Sequence, residues 1–286
     1  MSEKAAITSA SMQREMVDGV QQKIEALEKE GAINFPPNYS VSNALRSAWL
    51  IIQETKDLNR RPALEVCTRE SVANAMLNTV VQGLSPAKKQ IYYIVYGNQL
   101  QAQRSYFGTM AVTKRIPGVA DILADVVYPK DTFEASKAGG SWRIEAHESS
   151  WENIDPENFV AAYCTIVFDG GGSYTEIMNR AQIEKSWAKS RSKDHTVHKE
   201  FPDQMAKRTV INRACKFFLN SSDDSDLLIE AFNATGERFD ADAESEKKQD
   251  ERLRALNAEL QTNVSAQPED GEQELLTQEE EVLANA

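Results

Sequence analysis

Residues 91–103 read IYYIVYGNQLQAQ, and the period of this stretch decides the architecture. The run IYYIVY has a period of two and ends at Gly97-Asn98, two residues that tolerate the positive φ of a tight turn; QLQAQ then returns. The segment predicts a β-hairpin. Alternation sends Tyr92 and Tyr96 to one face and Tyr93 to the other, so at least one set is core packing. It also gathers Gln99, Gln101 and Gln103 on one face, where their amides can meet backbone or phosphate oxygens.

Upstream of the hairpin the period is 3.6. Met12, Met16, Val20, Ile24 and Leu27 predict an amphipathic helix over residues 9–30, stopped by Gly31 and followed by a Phe35-Pro36-Pro37 linker. This helix can dock on its own body or on a neighbouring subunit. Ser40 or Ser42 can cap a helix reaching residue 56, with Val41, Leu45, Ala48, Trp49 and Ile52 on one face. Thr68 can cap another over residues 69–82, closed by Gly83 and Pro86.

Downstream, a helix over 105–115 is closed by Pro117 and Gly118, and residues 119–128 read as a strand. Hairpins follow over 131–147, turning at Gly139-Gly140, and over 159–178, turning at residues 169–172. Helices are expected over 179–189, 202–219 and 223–232; on the middle one Ala206, Val210, Ala214 and Phe217 form the core face. Hairpins with helices inserted and flanking predict an α+β fold, antiparallel β-hairpins forming a small sheet packed with helices, and not a wound parallel sheet.

The chain has 286 residues, enough to bury a core without disulfides, and its cysteines, Cys67, Cys164 and Cys215, read as reduced core thiols. No stretch approaches the length of a bilayer span, and the N-terminus lacks the order of a signal peptide. A soluble intracellular protein is expected.

The formal net charge is −12. Residues 230–286 carry 16 acidic and 5 basic residues, a net of −11, so residues 1–229 stand near −1. The global acidity is a property of the tail. Three regions follow: residues 1–36 as N-terminal helix and linker, a possible subunit contact; residues 37–234 as the core; and residues 235–286 as an acidic, largely disordered C-terminal region.

Residues 71–120 contain no Asp or Glu, yet include Lys88, Lys89, Arg104, Lys114 and Arg115. Charged residues make up 27% of the chain, so fifty residues without one carboxylate mark a surface suited to a polyanion. A second basic region, residues 180–216, has ten Lys/Arg against four Asp/Glu. Within it Lys185, Trp187, Lys189, Arg191 and Lys193 set an indole among cations, which pairs phosphate neutralisation with a stacking face. Arg208, Asn212 and Lys216 form a polar helical stripe with Arg213 at its edge, and Lys207 projects from the apolar side. Trp187 is equally a core residue or a stacking platform.

Catalytic signals are weak. No phosphate loop is present, so ATP hydrolysis and a bound cofactor are not supported. His147, His195 and His198 do not combine with the cysteines at zinc spacing. Glu145 and Glu148 beside His147 read as exposed polar surface. A metal-dependent nuclease would need a cluster such as Asp121, Asp125 and Glu145.

Three blocks carry a resemblance. NAMLNTVVQGLSPAKKQIYYIVYGNQLQAQRSYFGTMAVTKRIPGV (74–119), AYCTIVFDGGGSYTEIMNRAQIEKSW (162–187) and DQMAKRTVINRACKFF (203–218) resemble, in order and spacing, the RecT family of phage recombinases. The resemblance covers about residues 40–220. It implies ATP-independent binding of single-stranded DNA and annealing of complementary strands through a duplex intermediate, by subunits assembled into rings or helical filaments. It also implies a compact core with a basic groove, a partner exonuclease and a host single-strand binding protein met through the C-terminal region, and work in the bacterial cytoplasm. Carried over by position, the groove residues are Arg104, Lys114, Arg115, Lys185, Lys189, Lys207, Arg208, Arg213 and Lys216. The family commonly shows a glycine-containing acidic turn where this chain has Ser85-Pro86-Ala87-Lys88-Lys89.

Overall fold

Local capping starts the helices where the sequence places them. In a computed structural model of the chain, which describes residues 2–188, 196–222 and 226–236, Ser40 Oγ accepts from the Asn43 N–H at 3.3 Å and opens α2 (Val41–Glu54). Thr68 Oγ1 accepts from the Ser71 N–H at 3.2 Å and opens α4 (Arg69–Val81). The short α3 (Ala63–Val66) lies between them, and α1 (Ser2–Lys29) precedes them. The described residues all belong to one compact unit.

Val20 and Ile24 of α1 are buried against α2 and α4, so the first helix docks on its own body. Trp49, Ile52, Met76 and Val80 fill the space between α2 and α4. The hairpin forms as expected: β1 (Ile91–Tyr96) pairs antiparallel with β2 (Gln99–Arg104), Tyr96 opposite Gln99. Ile91, Tyr93, Val95, Leu100 and Ala102 face inward onto α4, with the Tyr93 and Thr79 hydroxyls sharing a 2.8 Å hydrogen bond. The last helix, α9 (Asp226–Thr235), closes this first core with Ala231 and Phe232.

A second core lies under a different sheet. β3 (Val119–Val127), β6 (Ala161–Phe168) and β7 (Ser173–Asn179) form an antiparallel sheet in the order β3-β6-β7. Ile122, Val126, Ala162, Cys164 and Ile166 pack against Ala206, Val210 and Ala214 of α8 (Pro202–Leu219), and Ile183 of α6 (Arg180–Ala188) joins them. β4 (Thr132–Ala138) and β5 (Ser141–Glu148) pair only with each other, so the strands divide among three antiparallel sheets where one was expected. The joint between the cores is α5 (Tyr106–Thr113) and the turn after it, where Ile116 packs against both. A short α7 (Thr196–Glu200) precedes α8.

Two core assignments change. Phe217 is 59% exposed, its ring stacked at 5.4 Å on Tyr174 of β7, while the next residue, Phe218, packs on Phe168 in the core. Cys67 is only half-buried, at the end of α3, whereas Cys164 and Cys215 are fully buried. No helix among the described residues is long and apolar enough to cross a membrane. The acidic region beyond residue 236 lies outside the described residues, as do Lys189, Arg191, Lys193 and His195.

Candidate nucleic-acid interface

The inward face of β1 and β2 is consumed by the first core, which leaves the opposite face to solvent. There Tyr92 and Tyr96 are 47% and 46% exposed, and Tyr92 stands across from Gln103, Ile94 from Gln101 and Tyr96 from Gln99. The result is a ribbon of phenol rings and amides. Beside it Ser105 Oγ caps α5 by accepting from the Gly108 N–H at 3.2 Å and donates to the Lys89 carbonyl at 2.7 Å. That bond fixes the turn that presents Lys88 and Lys89, both exposed, with Lys89 in the left-handed region at φ 55°. The Tyr106 and Phe107 rings, 4.1 Å apart, follow at the start of α5.

α5 packs on α8, and that contact brings the two basic segments together. Arg208 of α8 lies within electrostatic reach of Tyr92 on β1 and Tyr106 on α5. Burial pulls the Arg208 guanidinium below the ordinary arginine range, and the two phenols oppose that shift. Burial also raises the Tyr106 hydroxyl, with Tyr92 adding and Arg208 countering. An exposed ribbon of rings and amides thus lies within electrostatic reach of a half-buried guanidinium.

The remaining cations divide by environment. Arg104 is buried, its Nε donating to Thr109 Oγ1 at 3.0 Å and its Nη1 to Gln82 Oε1 at 2.9 Å, so it serves the interior and no groove. Arg115 extends its guanidinium to the Gln82 carbonyl and, at 2.7 Å, to the Gly83 carbonyl, a cation at the C-terminal end of α4. Lys114 pairs with Asp121 at 2.5 Å, Lys207 with Asp125 at 3.3 Å and Arg213 with Glu176 at 2.8 Å. Lys185 and Lys216 are exposed on α6 and α8. Trp187 is half-buried, its Nε1 donating to Thr209 Oγ1 at 2.9 Å.

The carboxylates weighed for a nuclease are engaged elsewhere. Asp121 and Asp125 hold the lysines just named, Glu145 accepts from Ser136 at 2.8 Å, and no group of three or more metal-ligating side chains forms among the described residues. His147 is not exposed polar surface. Its Nδ1 lies 2.9 Å from the Tyr163 hydroxyl and its Nε2 3.3 Å from Asp131, a carboxylate that also accepts from Ser149 at 2.6 Å and Asn153 at 3.1 Å. This half-buried network ties the β4-β5 arm to β6, and the signal for it, one His opposite one Tyr across two hairpins, is invisible without the fold.

Sequence reasoning also missed a recess of about 610 Å³ between α6, α7 and the start of α8, lined by Arg180, Glu184, Trp187, His198 and Lys199 among others. Its only trace in the sequence is the i, i+4 spacing of Arg180 and Glu184.

Comparison with known proteins agrees with the three sequence blocks. Over 202 residues the chain is 25% identical to "Protein RecT" of Escherichia coli (strain K12), a stretch covering 67% of this chain and 71% of that protein. The sequence model of the RecT family matches residues 42–251. That match takes in the ribbon, α5, the three-stranded sheet and α8, and the chain belongs to the RecT family.

Proposed function

We propose that this protein is a single-strand annealing recombinase that binds single-stranded DNA and pairs complementary strands without ATP. One observation carries the reading: α5, from the carboxylate-free segment, packs on α8, from the second basic segment, and this sets Arg208 within electrostatic reach of Tyr92 and Tyr106. Annealing requires the backbone of one strand to be held while base edges stay free for the second strand. Phosphate contacts from Arg208, Lys88, Lys89 and Lys216, with ring faces from Tyr92 and Tyr96, meet that need without reading sequence. Lys114 and Lys207 join this set when a phosphate displaces Asp121 and Asp125, an exchange of small cost at a solvated pair, and Arg213 does so at the greater cost of releasing the half-buried Glu176. Lys185 adds a further exposed cation on α6, and Trp187, Lys189, Arg191 and Lys193 are the remaining candidates from the second basic segment.

The subunits act as a ring or helical filament, in which many weak sites in a row give avidity. The acidic region after residue 235 serves as a contact for a partner exonuclease or a host single-strand binding protein, in the cytoplasm of a bacterial host. No catalytic step is assigned. Mixing labelled complementary strands with the protein and no nucleotide should accelerate pairing. Binding without acceleration would identify a passive coating protein, and cleavage abolished by EDTA would identify a nuclease. Truncation after residue 235 should leave DNA affinity equal or stronger.

A further inference from the structure

We propose that the recess between α6, α7 and α8 accepts a single unpaired nucleobase, a site separate from the Tyr92 ribbon. The inference rests on the reading of the protein as a single-strand binder, and it adds a pocket that holds one base out of the stack.

Two of the wall side chains already have partners of their own. Trp187 is pinned by its bond to Thr209 at 2.9 Å and sits against His198, ring centroids 4.9 Å apart. Arg180 is held on three sides: its Nε meets Glu184 at 2.7 Å, its Nη1 donates to the Glu157 carbonyl at 2.8 Å, and its guanidinium lies 5.1 Å over the Phe159 ring. Rigid walls lower the ordering cost of binding. At about 610 Å³ the recess falls within the range of small-molecule sites, on the order of 300–1,000 Å³, and has room for one base.

The charge balance selects the ligand. Arg180 and Lys199 stand against Glu157 and Glu184, so the lining is near neutral, which disfavours a bare phosphate. A flat ring whose edge both donates and accepts hydrogen bonds fits better: Trp187 and His198 supply aromatic surface, the cations donate, and Glu184 and Asn158 accept. Neighbouring bases would be left unstacked and open to a complementary strand.

The test uses the full chain and 2-aminopurine riboside, a fluorescent nucleoside without phosphate. Titration with protein should quench its emission, and Ala188→Leu, which fills the recess without removing a polar contact, should weaken that binding about tenfold. Inorganic phosphate should not compete. No quenching by the native chain, or equal quenching by Ala188→Leu, would overturn the proposal, as would competition by phosphate alone. Anisotropy of a dye-labelled oligonucleotide reports separately on strand binding: absence of riboside binding by the native chain with the anisotropy change intact rejects the pocket alone, and riboside quenching without any anisotropy change rejects the single-strand reading and leaves a nucleoside site. Far-UV circular dichroism of Ala188→Leu verifies folding, and His198→Ala, which removes ring surface, provides a second variant with the same expected loss.

Discussion

The Arg104 guanidinium lies 3.3 Å over the Phe232 ring, and its Nη1 donates to the Phe232 carbonyl at 2.6 Å. β2 and α9, more than a hundred residues apart in sequence, are fastened through this one side chain. Thr235 Oγ1 and Gln82 Oε1 take further bonds from the same nitrogen at 3.0 and 2.9 Å. Burial lowers the Arg104 pKa to about 9, which still leaves it charged at neutral pH. Arg104→Ala would orphan these acceptors and the ring, costing about 3 kcal/mol in urea unfolding. Arg104→Lys should also destabilise, because an ammonium lacks the planar fork. The salt dependence of DNA binding should not change with Arg104→Lys, and a reduced slope would return this residue to the DNA surface.

Asp131 predicts acid sensitivity. Burial alone would raise its carboxyl, but bonds from Ser149, the Tyr128 N–H, Asn153 and His147 outweigh burial and hold it below the ordinary range. A carboxyl with a depressed folded pKa stabilises the protein above its unfolded value, about 3.9, and loses that contribution as pH falls through the folded value. Stability should therefore drop on acidification below about pH 4 in native protein, and Asp131→Asn should flatten that limb while costing about 2 kcal/mol near neutrality. Parallel acid limbs for the two proteins would refute the assignment.

Tyr92 and Tyr96 should act on DNA and Tyr93 on stability. Tyr92→Ala or Tyr96→Ala should weaken oligonucleotide binding by about 1–3 kcal/mol per lost stack and leave the melting temperature nearly unchanged. Tyr93→Phe loses the hydroxyl bond to Thr79 and should cost about 1 kcal/mol of stability with unaltered DNA affinity. Fluorescence anisotropy and thermal melts on the three variants separate these outcomes.

Lys88 and Lys89 stand on a turn fixed by Ser105 and carry no described carboxylate partner. If both contact phosphate, the double alanine variant should lower the log-log salt slope of binding by about 0.7 per lysine. An unchanged slope would place the strand elsewhere.

Gly108 lies in α5, where alanine would ordinarily help a helix by about 1 kcal/mol. Here an added Cβ would collide with the Gln90 carbonyl oxygen and meet Arg104 Cγ at 2.7 Å. Gly108→Ala should therefore destabilise by about 2 kcal/mol, and a stabilised variant in urea titration would show that the turn before β1 yields easily.

Much of this arrangement is legible in the sequence because it is local. Ser40, Thr68 and Ser105 sit one residue before their helices, and the two-residue period of IYYIVY separates Tyr93 from its neighbours. Arg104 was legible too: it shares the parity of Leu100 and Ala102, both inward, so alternation points it to the interior. Its charge made it look like a DNA contact. Arg115 gave no such signal, since its acceptors on Gln82 and Gly83 are brought near only by the return of the chain. The exposed Phe217 shows the limit of a helical arc, which does not tell which of two adjacent phenylalanines takes the inward place that Phe218 fills.

Tyr92 rises from the first core and Arg208 from the second, with Ile116 packed against both. A strand gripped by both residues would span that joint like a splint. Hydrogen exchange in α5 should then slow when DNA is bound, far more than exchange within α2 or β6, because the bound strand adds to the cost of opening the seam between the two cores.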